Sequence, residues 1–305
     1  MTNVNGDGYF SNKMNQALKA QQTGILSFFS ALNIVLSITA SLGNALVLIA
    51  LHKVTSIHPP TKLFFRCLAV TDLCVGLVVQ PLFVTGILGS FTNIDMNALN
   101  YVVEADGVAS LFLCGVSLLT SVAISVDRLL ALLLGLRYRH VVTLRRVRVV
   151  IFCIWLITGS NISIVRLWGR NVRVLLTPIY ITLSLATTIF CNTRIHLRLR
   201  YHQVQLRNNV PKGQPSEGRT PLNIARYKKT VVTVVWVQLA LVACYTPTAV
   251  TAVLEVIGTE SHFVAVFITS SLVYLNSSLN PILYCWKIKE IKQSVKDTIR
   301  QLYCL

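Results

Sequence analysis

The sequence predicts an all-α integral membrane protein: a bundle of seven transmembrane helices followed by a short amphipathic C-terminal helix. Three observations carry this expectation. Charged residues make up 13% of the 305-residue chain and hydrophobic residues 53%, against about 25% charged in a soluble domain, which is too few to cover a surface facing water. The apolar residues fall into long segments, and about 20 helical residues suffice to cross a hydrocarbon core of about 30 Å. The basic residues behind the net charge of +17 lie between those segments. A nucleic-acid binder would instead carry basic stripes interleaved with aromatics on a soluble fold, so membrane lipids are expected as partners and nucleic acid is not.

Taken in order, residues 1–24 form a polar N-terminal tail with no apolar stretch and cleavage site, so no removable signal peptide is expected. Residues 25–285 form the transmembrane domain, with spans at 25–51, 62–89, 98–133, 144–166, 172–200, 223–257 and 262–285. Lys and Arg number 3 at 52–66, 6 at 128–148, 9 at 194–229 and 5 at 287–300, against 2 in the tail and 3 at 166–173. Positive charge marks the cytoplasmic side, which predicts a multi-pass plasma-membrane protein with its N-terminus extracellular and its C-terminus cytoplasmic. Segment 208–221, rich in Asn, Pro and Gly, is expected to be a flexible third cytoplasmic loop, and the link near 167–171 is very short.

Residues 286–305 form the amphipathic helix and tail. Trp286, Ile288, Ile291, Val295, Ile299 and Leu302 recur at helical spacing with Lys and Arg between them, a pattern suited to lying on an anionic inner leaflet. Cys304 is a candidate palmitoylation site, with a plain terminal thiol as the alternative. The eight cysteines form no CxxC pair and none falls in an expected extracellular loop, so neither a structural disulfide nor a zinc site is expected.

Polar groups at bilayer depth are costly and mark candidate sites. Ser110, Cys114, Ser117, Ser121, Ser125 and Arg128 recur every three or four residues along the third span, which keeps them on one helix face. Small residues also let helices approach closely, but Arg128 needs a partner for its charge. Asp72 lies mid-membrane, where a carboxylate either takes a proton or binds a cation. Ser117, Asn276 and Asn280 offer oxygens at similar depth, the ligand type that hard cations favour; a protonated Asp72 in a hydrogen-bonded network is the alternative. Pro81, Pro178, Pro247 and Pro281 fall within predicted helices, each removing a backbone hydrogen bond. Pro247 and Pro281 are candidate pivots or static kinks.

These residues stand in an order that resembles the rhodopsin-like (class A) G-protein-coupled receptors across roughly 43–290. The matching positions are Gly43-Asn44, Leu68-Ala69-Val70-Thr71-Asp72, Asp127-Arg128-Leu129 for the Asp-Arg-Tyr motif, and Trp155. Cys244-Tyr245-Thr246-Pro247 stands for Cys-Trp-x-Pro, and Asn280-Pro281-Ile282-Leu283-Tyr284 matches Asn-Pro-x-x-Tyr in full. The resemblance implies that an extracellular ligand shifts the bundle between two states and that a heterotrimeric G protein docks in a cytoplasmic opening made by the sixth helix. It implies that Arg128 pairs with Asp127 at rest and that Tyr284 turns inward in the open form. Tyr245, Pro247 and Pro281 complete the implied switch. It also implies an allosteric sodium ion at Asp72, Ser117, Asn276 and Asn280, with no other cofactor.

The departures from the family pattern are informative. The usual cysteine at the outer end of the third helix falls near Val103, Ser184 and Asn192 replace a common proline and tyrosine of the fifth, and Tyr245 replaces the tryptophan toggle. The missing cysteine and proline, with the short second extracellular loop, resemble the melanocortin branch, close to the adenosine and cannabinoid receptors, although that branch's acidic ligand and calcium positions are not in register here. Ser110 stands where aminergic receptors carry aspartate, and Tyr274 where opsins carry the retinal lysine, so both ligand classes are disfavoured.

Candidate ligand-pocket residues are Glu104, Asp106, Ser110, Cys114, Tyr245, Glu255 and Tyr274. Glu104, Asp106, Glu255 and Glu260 would form an acidic mouth attractive to a cationic ligand or peptide, unless Arg166, Arg170 and Arg173 neutralise it. The expected function is that of a G-protein-coupled receptor for an extracellular small molecule, lipid or peptide. The alternatives are a constitutively active or weakly coupled receptor and, further off, a transporter or channel, for which no internal repeat is seen. No enzyme is expected: the sequence has no HExxH, GxSxG or phosphate-binding glycine loop.

Overall fold

The computed structural model describes residues 4–55, 57–89, 92, 95–208, 239–257, 263–287 and 289–303. Every regular element among them is helical, and seven stretches are long and apolar enough to cross a bilayer: Gln21–Lys53, Pro59–Gly89, Met96–Val141, Leu144–Trp168, Leu175–Arg198, Leu239–Val256 and Val264–Tyr284. These coincide with the seven expected spans, except that 223–238 lies outside the described residues, as does the expected loop at 208–221 apart from Asn208, which ends a helix.

Helix α1 (Val4–Lys53) starts well ahead of Gly24. The tail expected at 1–24 is helical from Val4 onward, as the Ala-Leu-Lys-Ala-Gln-Gln run at 17–22 favours by intrinsic propensity. The second span is split into α2 (Pro59–Cys74), a π-helical turn (Val75–Val79) and α3 (Gln80–Gly89). Two prolines at its first turn suit α2, because the N–H groups they lack would have no helical partner there. The π turn lies immediately before Pro81, whose ring would collide with a regular α-helical carbonyl; the wider turn relieves that crowding.

Helix α4 (Met96–Leu134) begins at Asp95, whose side chain accepts a hydrogen bond from the Asn97 N–H at 3.3 Å. It ends at Gly135, the one residue with positive φ among those described, where a side chain would be strained. A 3₁₀ turn (Gly135–Arg137) and α5 (Tyr138–Val141) follow. Helix α6 (Leu144–Asn208) carries the fourth and fifth spans without a break in helical assignment. If it were straight, Thr158 and Tyr180 would lie about 33 Å apart at about 1.5 Å per residue. Both nevertheless converge on Gly115, where an added Cβ would sit 2.9 Å from Thr158 Cγ2 and 3.4 Å from Tyr180 Oη. The chain therefore doubles back between them, around the short link expected near 167–171.

Helix α7 (Leu239–Val256), α8 (Phe263–Lys287) and α9 (Lys289–Tyr303) complete the chain. Gly43 of α1 meets α8 so closely that a Cβ there would lie 2.9 Å from both Cβ and Cγ of Pro281. Beside it, Asn44 donates to the Ala40 carbonyl at 2.8 Å and to the Ser277 carbonyl at 3.1 Å. Asn33 donates to Ser271 Oγ at 2.9 Å and Ser278 to the Leu36 carbonyl at 2.9 Å, so a ladder of polar contacts binds α1 to α8.

The C-terminal helix corrects one expectation. Its apolar face suits lipid by pattern alone, but Ile291 and Val295 are buried in one cluster with Val47, Ala50 and Leu51 of α1. Lys53 Nζ donates to Thr298 Oγ1 at 3.0 Å on the same seam. The small Ala50 lets α9 settle against the bundle, so burial there removes more apolar surface than the sequence pattern reveals. The side chains of Trp286, Ile288 and Leu302 lie outside the described residues, as does Cys304.

Gly43→Leu would force the α1–α8 seam apart at Pro281, an overpacking cost of about 1–3 kcal/mol. Thermal unfolding of purified protein should show a lowered midpoint for Gly43→Leu and a smaller loss for Gly43→Ala.

Candidate functional site

The polar stripe of the third span faces the interior: Ser117, Ser121 and Ser125 of α4 are all buried. Its members meet a different partner at each level. Taking the end of the bundle that carries α9 as the base, Arg128 Nη2 lies 3.1 Å from Asp127 Oδ2. Asp127 is held further by Tyr138 of α5, which donates to Oδ1 at 2.7 Å, and by Thr61 of α2, which donates to Oδ2 at 3.0 Å. The carboxylate thus has three donors, from α2, α4 and α5, as burial of a charge requires.

The Arg128 guanidinium also sits over the Phe65 ring, 5.9 Å from its centroid, and Tyr284 packs edge-on against the same ring at 5.1 Å. Phe65 therefore separates Arg128 from Tyr284, whose buried hydroxyl has no partner among the described residues. Nothing in the sequence singled out Phe65, Thr61 or Tyr138. Only their positions one to three helical turns from recognisable motifs bring them here.

His58, in the turn before α2, packs against the Tyr138 ring at 5.3 Å. Its pKa is lowered chiefly by burial, an effect opposed by Asp127 and reinforced by Arg139 and Arg128.

At mid-bundle Asp72 is fully buried and has three donors: Ser117 and Ser277 to Oδ1, each at 2.8 Å, and Asn280 Nδ2 to Oδ2 at 2.7 Å. Ser277 was missed by the sequence reading, although its place three residues before Asn280 puts it on the same face of α8. Asn276, which the reading did include, is buried with neither amide atom hydrogen-bonded among the described residues. Pro281 follows Asn280 inside α8 and abuts Gly43.

Above this layer lies a half-open cavity of about 160 Å³ whose walls include Ser110, Cys114, Tyr245 and Tyr274. Tyr274 and Ser110 share a hydrogen bond at 3.2 Å, and Tyr245 donates to the Cys114 carbonyl at 3.3 Å. Tyr180 of α6, another residue the sequence reading missed, donates to the next carbonyl, that of Gly115, at 2.8 Å. Two tyrosines from different helices are thus pinned to successive carbonyls of α4. Thr248, one residue beyond Pro247, also lines the cavity.

The expected acidic mouth does not line this cavity, and no charged residue stands among those that do. Glu104 is half-exposed and ion-paired with Arg166 on the flank between α4 and α6. Asp106 carries a buried oxygen without a hydrogen-bond partner among the described residues. Glu255 lies near the end of α7, away from the cavity lining, and Glu260 and the side chains of Arg170 and Arg173 lie outside the described residues.

Seven apolar spans around a buried carboxylate, with a paired arginine at one end and a half-open cavity above, make a seven-helix transmembrane bundle. The family described as 7 transmembrane receptor (rhodopsin family) matches residues 43–174 and 161–284, and the chain belongs to it. It is a G-protein-coupled receptor. Relatives include Melanocortin receptor 4 of Danio rerio, 25% identical over 279 residues, which covers 86% of this chain and 81% of that protein. Melanocortin receptor 5 of Mus musculus is 25% identical across 97% of this chain and 91% of its own length.

Two outcomes test this geometry. Tyr138→Phe removes one donor from Asp127 and should lower stability by about 1–3 kcal/mol, read as a drop in melting temperature. For His58, the folded pKa lies below the unfolded one, so its stabilisation is complete above the ordinary histidine range and fades as pH falls through the folded value. Melting temperature should decline between neutral pH and pH about 5 in the parent, less steeply in His58→Asn.

Proposed function

We propose that this chain is a plasma-membrane receptor with its N-terminus outside and its α9 end in the cytoplasm, where Arg128 and Tyr284 control docking of a heterotrimeric G protein. The observation that carries this reading is the closed set of contacts around Arg128. The cation is held by Asp127 and covered by Phe65, and Tyr284 packs against the same ring with a hydroxyl that has no partner among the described residues. The Asp127 pair and the Phe65 contact hold Arg128 in this state, whereas Tyr284 gains a partner only if the base opens, so the two groups pull toward opposite states. The excess of Lys and Arg around 128–148 and 194–229 supports the orientation and suits an acidic partner surface. Such signalling is a population shift and needs no bond chemistry, so no enzymatic role is proposed.

A sodium ion is proposed as an allosteric ligand at Asp72. The donor set fits a small hard cation: a carboxylate, the hydroxyls of Ser117 and Ser277, and the carbonyl oxygen of Asn276, which is buried and has no partner among the described residues. Those residues would hold the ion, and its charge would offset that of Asp72 and favour the resting packing. Asn280 would keep α8 on the carboxylate in either case.

A second reading, signalling without ligand, is favoured by Tyr245, which occupies the toggle position and is tied to the Cys114 carbonyl. Activation of each G-protein subtype family, measured in cells expressing parent or Arg128→Ala at matched surface levels, decides among these readings. Loss of a basal or evoked signal in Arg128→Ala is the expected result. A signal equal in both would remove Arg128 from the mechanism, and a basal signal equal to that of empty cells would remove ligand-free activity. In membranes, replacing sodium by N-methylglucamine should lower the melting temperature of the parent and leave Asp72→Asn unmoved.

A further inference from the structure

The half-open cavity has a neighbour on the bilayer side of the bundle. A cleft of about 290 Å³ runs between α4 and the first arm of α6, lined by Val103, Gly107 and Val108 on one wall and Ile162 and Val165 on the other. The ion pair of Glu104 and Arg166 sits at its mouth. Leu111 lines both the cleft and the cavity. It lies seven residues along α4 from Glu104, or about 10 Å at about 1.5 Å per residue, so the cleft leads from a charged rim down into the hydrocarbon. Gly107, one turn before Leu111, leaves that path open: a Cβ there would meet no atom within 4 Å.

The cavity alone falls well short of the roughly 300 Å³ at which small-molecule sites begin and the cleft only just meets it, whereas the two joined across Leu111 exceed it. Their chemistry is divided. The cavity presents hydroxyls from Ser110, Thr177, Thr248, Tyr245 and Tyr274 and no charge among its described walls, while the cleft is aliphatic below its rim. No cationic side chain stands among the cavity's described walls, and the carboxylate of Asp106, one turn above Ser110, acts on both Tyr274 and Cys114, so an anionic head would be desolvated there against a like charge.

We propose that the ligand is a single-chain amphiphile with a non-anionic head that enters from the bilayer between α4 and α6, passes Leu111, and leaves its chain in the cleft with its hydroxyl-bearing head in the cavity. The inference rests on the receptor reading for its consequence but not for its test. Its bulk would separate the α4 and α6 walls beside Gly115, where Tyr180 and Tyr245 hold successive carbonyls, so occupancy acts on the contacts that tie the fifth and sixth spans to the third.

The test uses full-length receptor in phosphatidylcholine vesicles and a 1-monoacylglycerol carrying a diazirine beside its glycerol, with adducts mapped by mass spectrometry. The parent should acquire adducts on cavity residues such as Cys114 and Tyr274. Gly107→Phe fills the cleft without a packing conflict at its Cβ and should slow that labelling about tenfold, within the range by which association rates vary among variants of one site. Leu111→Trp should do the same by closing the passage, and Ile38→Ala, an exposed position on α1 outside both linings, should label as the parent does. Cavity labelling at the parental rate in both plugged variants would overturn the entry path. Adducts confined to outward-facing residues, or equal cavity labelling by the corresponding lysophosphatidic acid probe, would overturn the ligand class. A parent that labels as expected but activates no G protein would count against the receptor reading alone.

Discussion

A carboxylate placed at the centre of a lipid-embedded bundle dictates much of what surrounds it. Asp72 has no water to turn to, so its oxygens must draw donors from neighbouring helices. They draw Ser117 from α4 and both Ser277 and Asn280 from α8. Ser277 then offers its carbonyl to Asn44 of α1, and the residue after Asn280 is the proline that presses on Gly43. Four spans are therefore positioned by one side chain and the residues next to its donors. Any rearrangement of α8 must either carry Asp72 with it or leave a charge unsatisfied in a medium of low dielectric, which makes intermediate positions costly and favours two discrete packings.

The base of the bundle solves the same problem differently. Asp127 is satisfied by Tyr138, Thr61 and its own neighbour Arg128, all close to the membrane boundary where solvent is near. Arg128 remains partly accessible, with 18% of its side-chain surface exposed, whereas Asp127 retains 2%. The acid is thus the buried, fixed partner and the base the releasable one. Phe65 completes the arrangement by lying under the guanidinium on one side and against Tyr284 on the other.

Most of the architecture was legible in the sequence because its signals are local and strong. A run of apolar residues long enough to span a bilayer, basic loops, and motifs such as Asn280-Pro281-x-x-Tyr284 each read without knowing the fold. Asp72 and Ser117 were legible as partners because both are polar at matching depth. What was not legible depends on which faces meet. Ser277 and Tyr180 look like ordinary small or interfacial residues until α4 is placed between them. Glu104 read as part of a ligand mouth because sequence gives depth along a helix but not rotation about its axis, and the α4 rotation turns it toward Arg166 and the lipid. The apolar face of α9 likewise gave no sign of whether lipid or α1 would cover it.

The π turn at Val75–Val79 has a consequence for how such a receptor diversifies. One extra residue in that turn advances the helix beyond it by about 100° relative to a regular α-helix. Asp72 lies before the turn, while Gln80 and Phe83, the latter resting against Tyr274, lie after it. Loss of a single residue there would re-face the upper half of the second span and present new side chains near the cavity, with the core carboxylate and its donors left where they are. Recognition and transduction are therefore mechanically separable along one helix, and a lineage could exchange one without rebuilding the other.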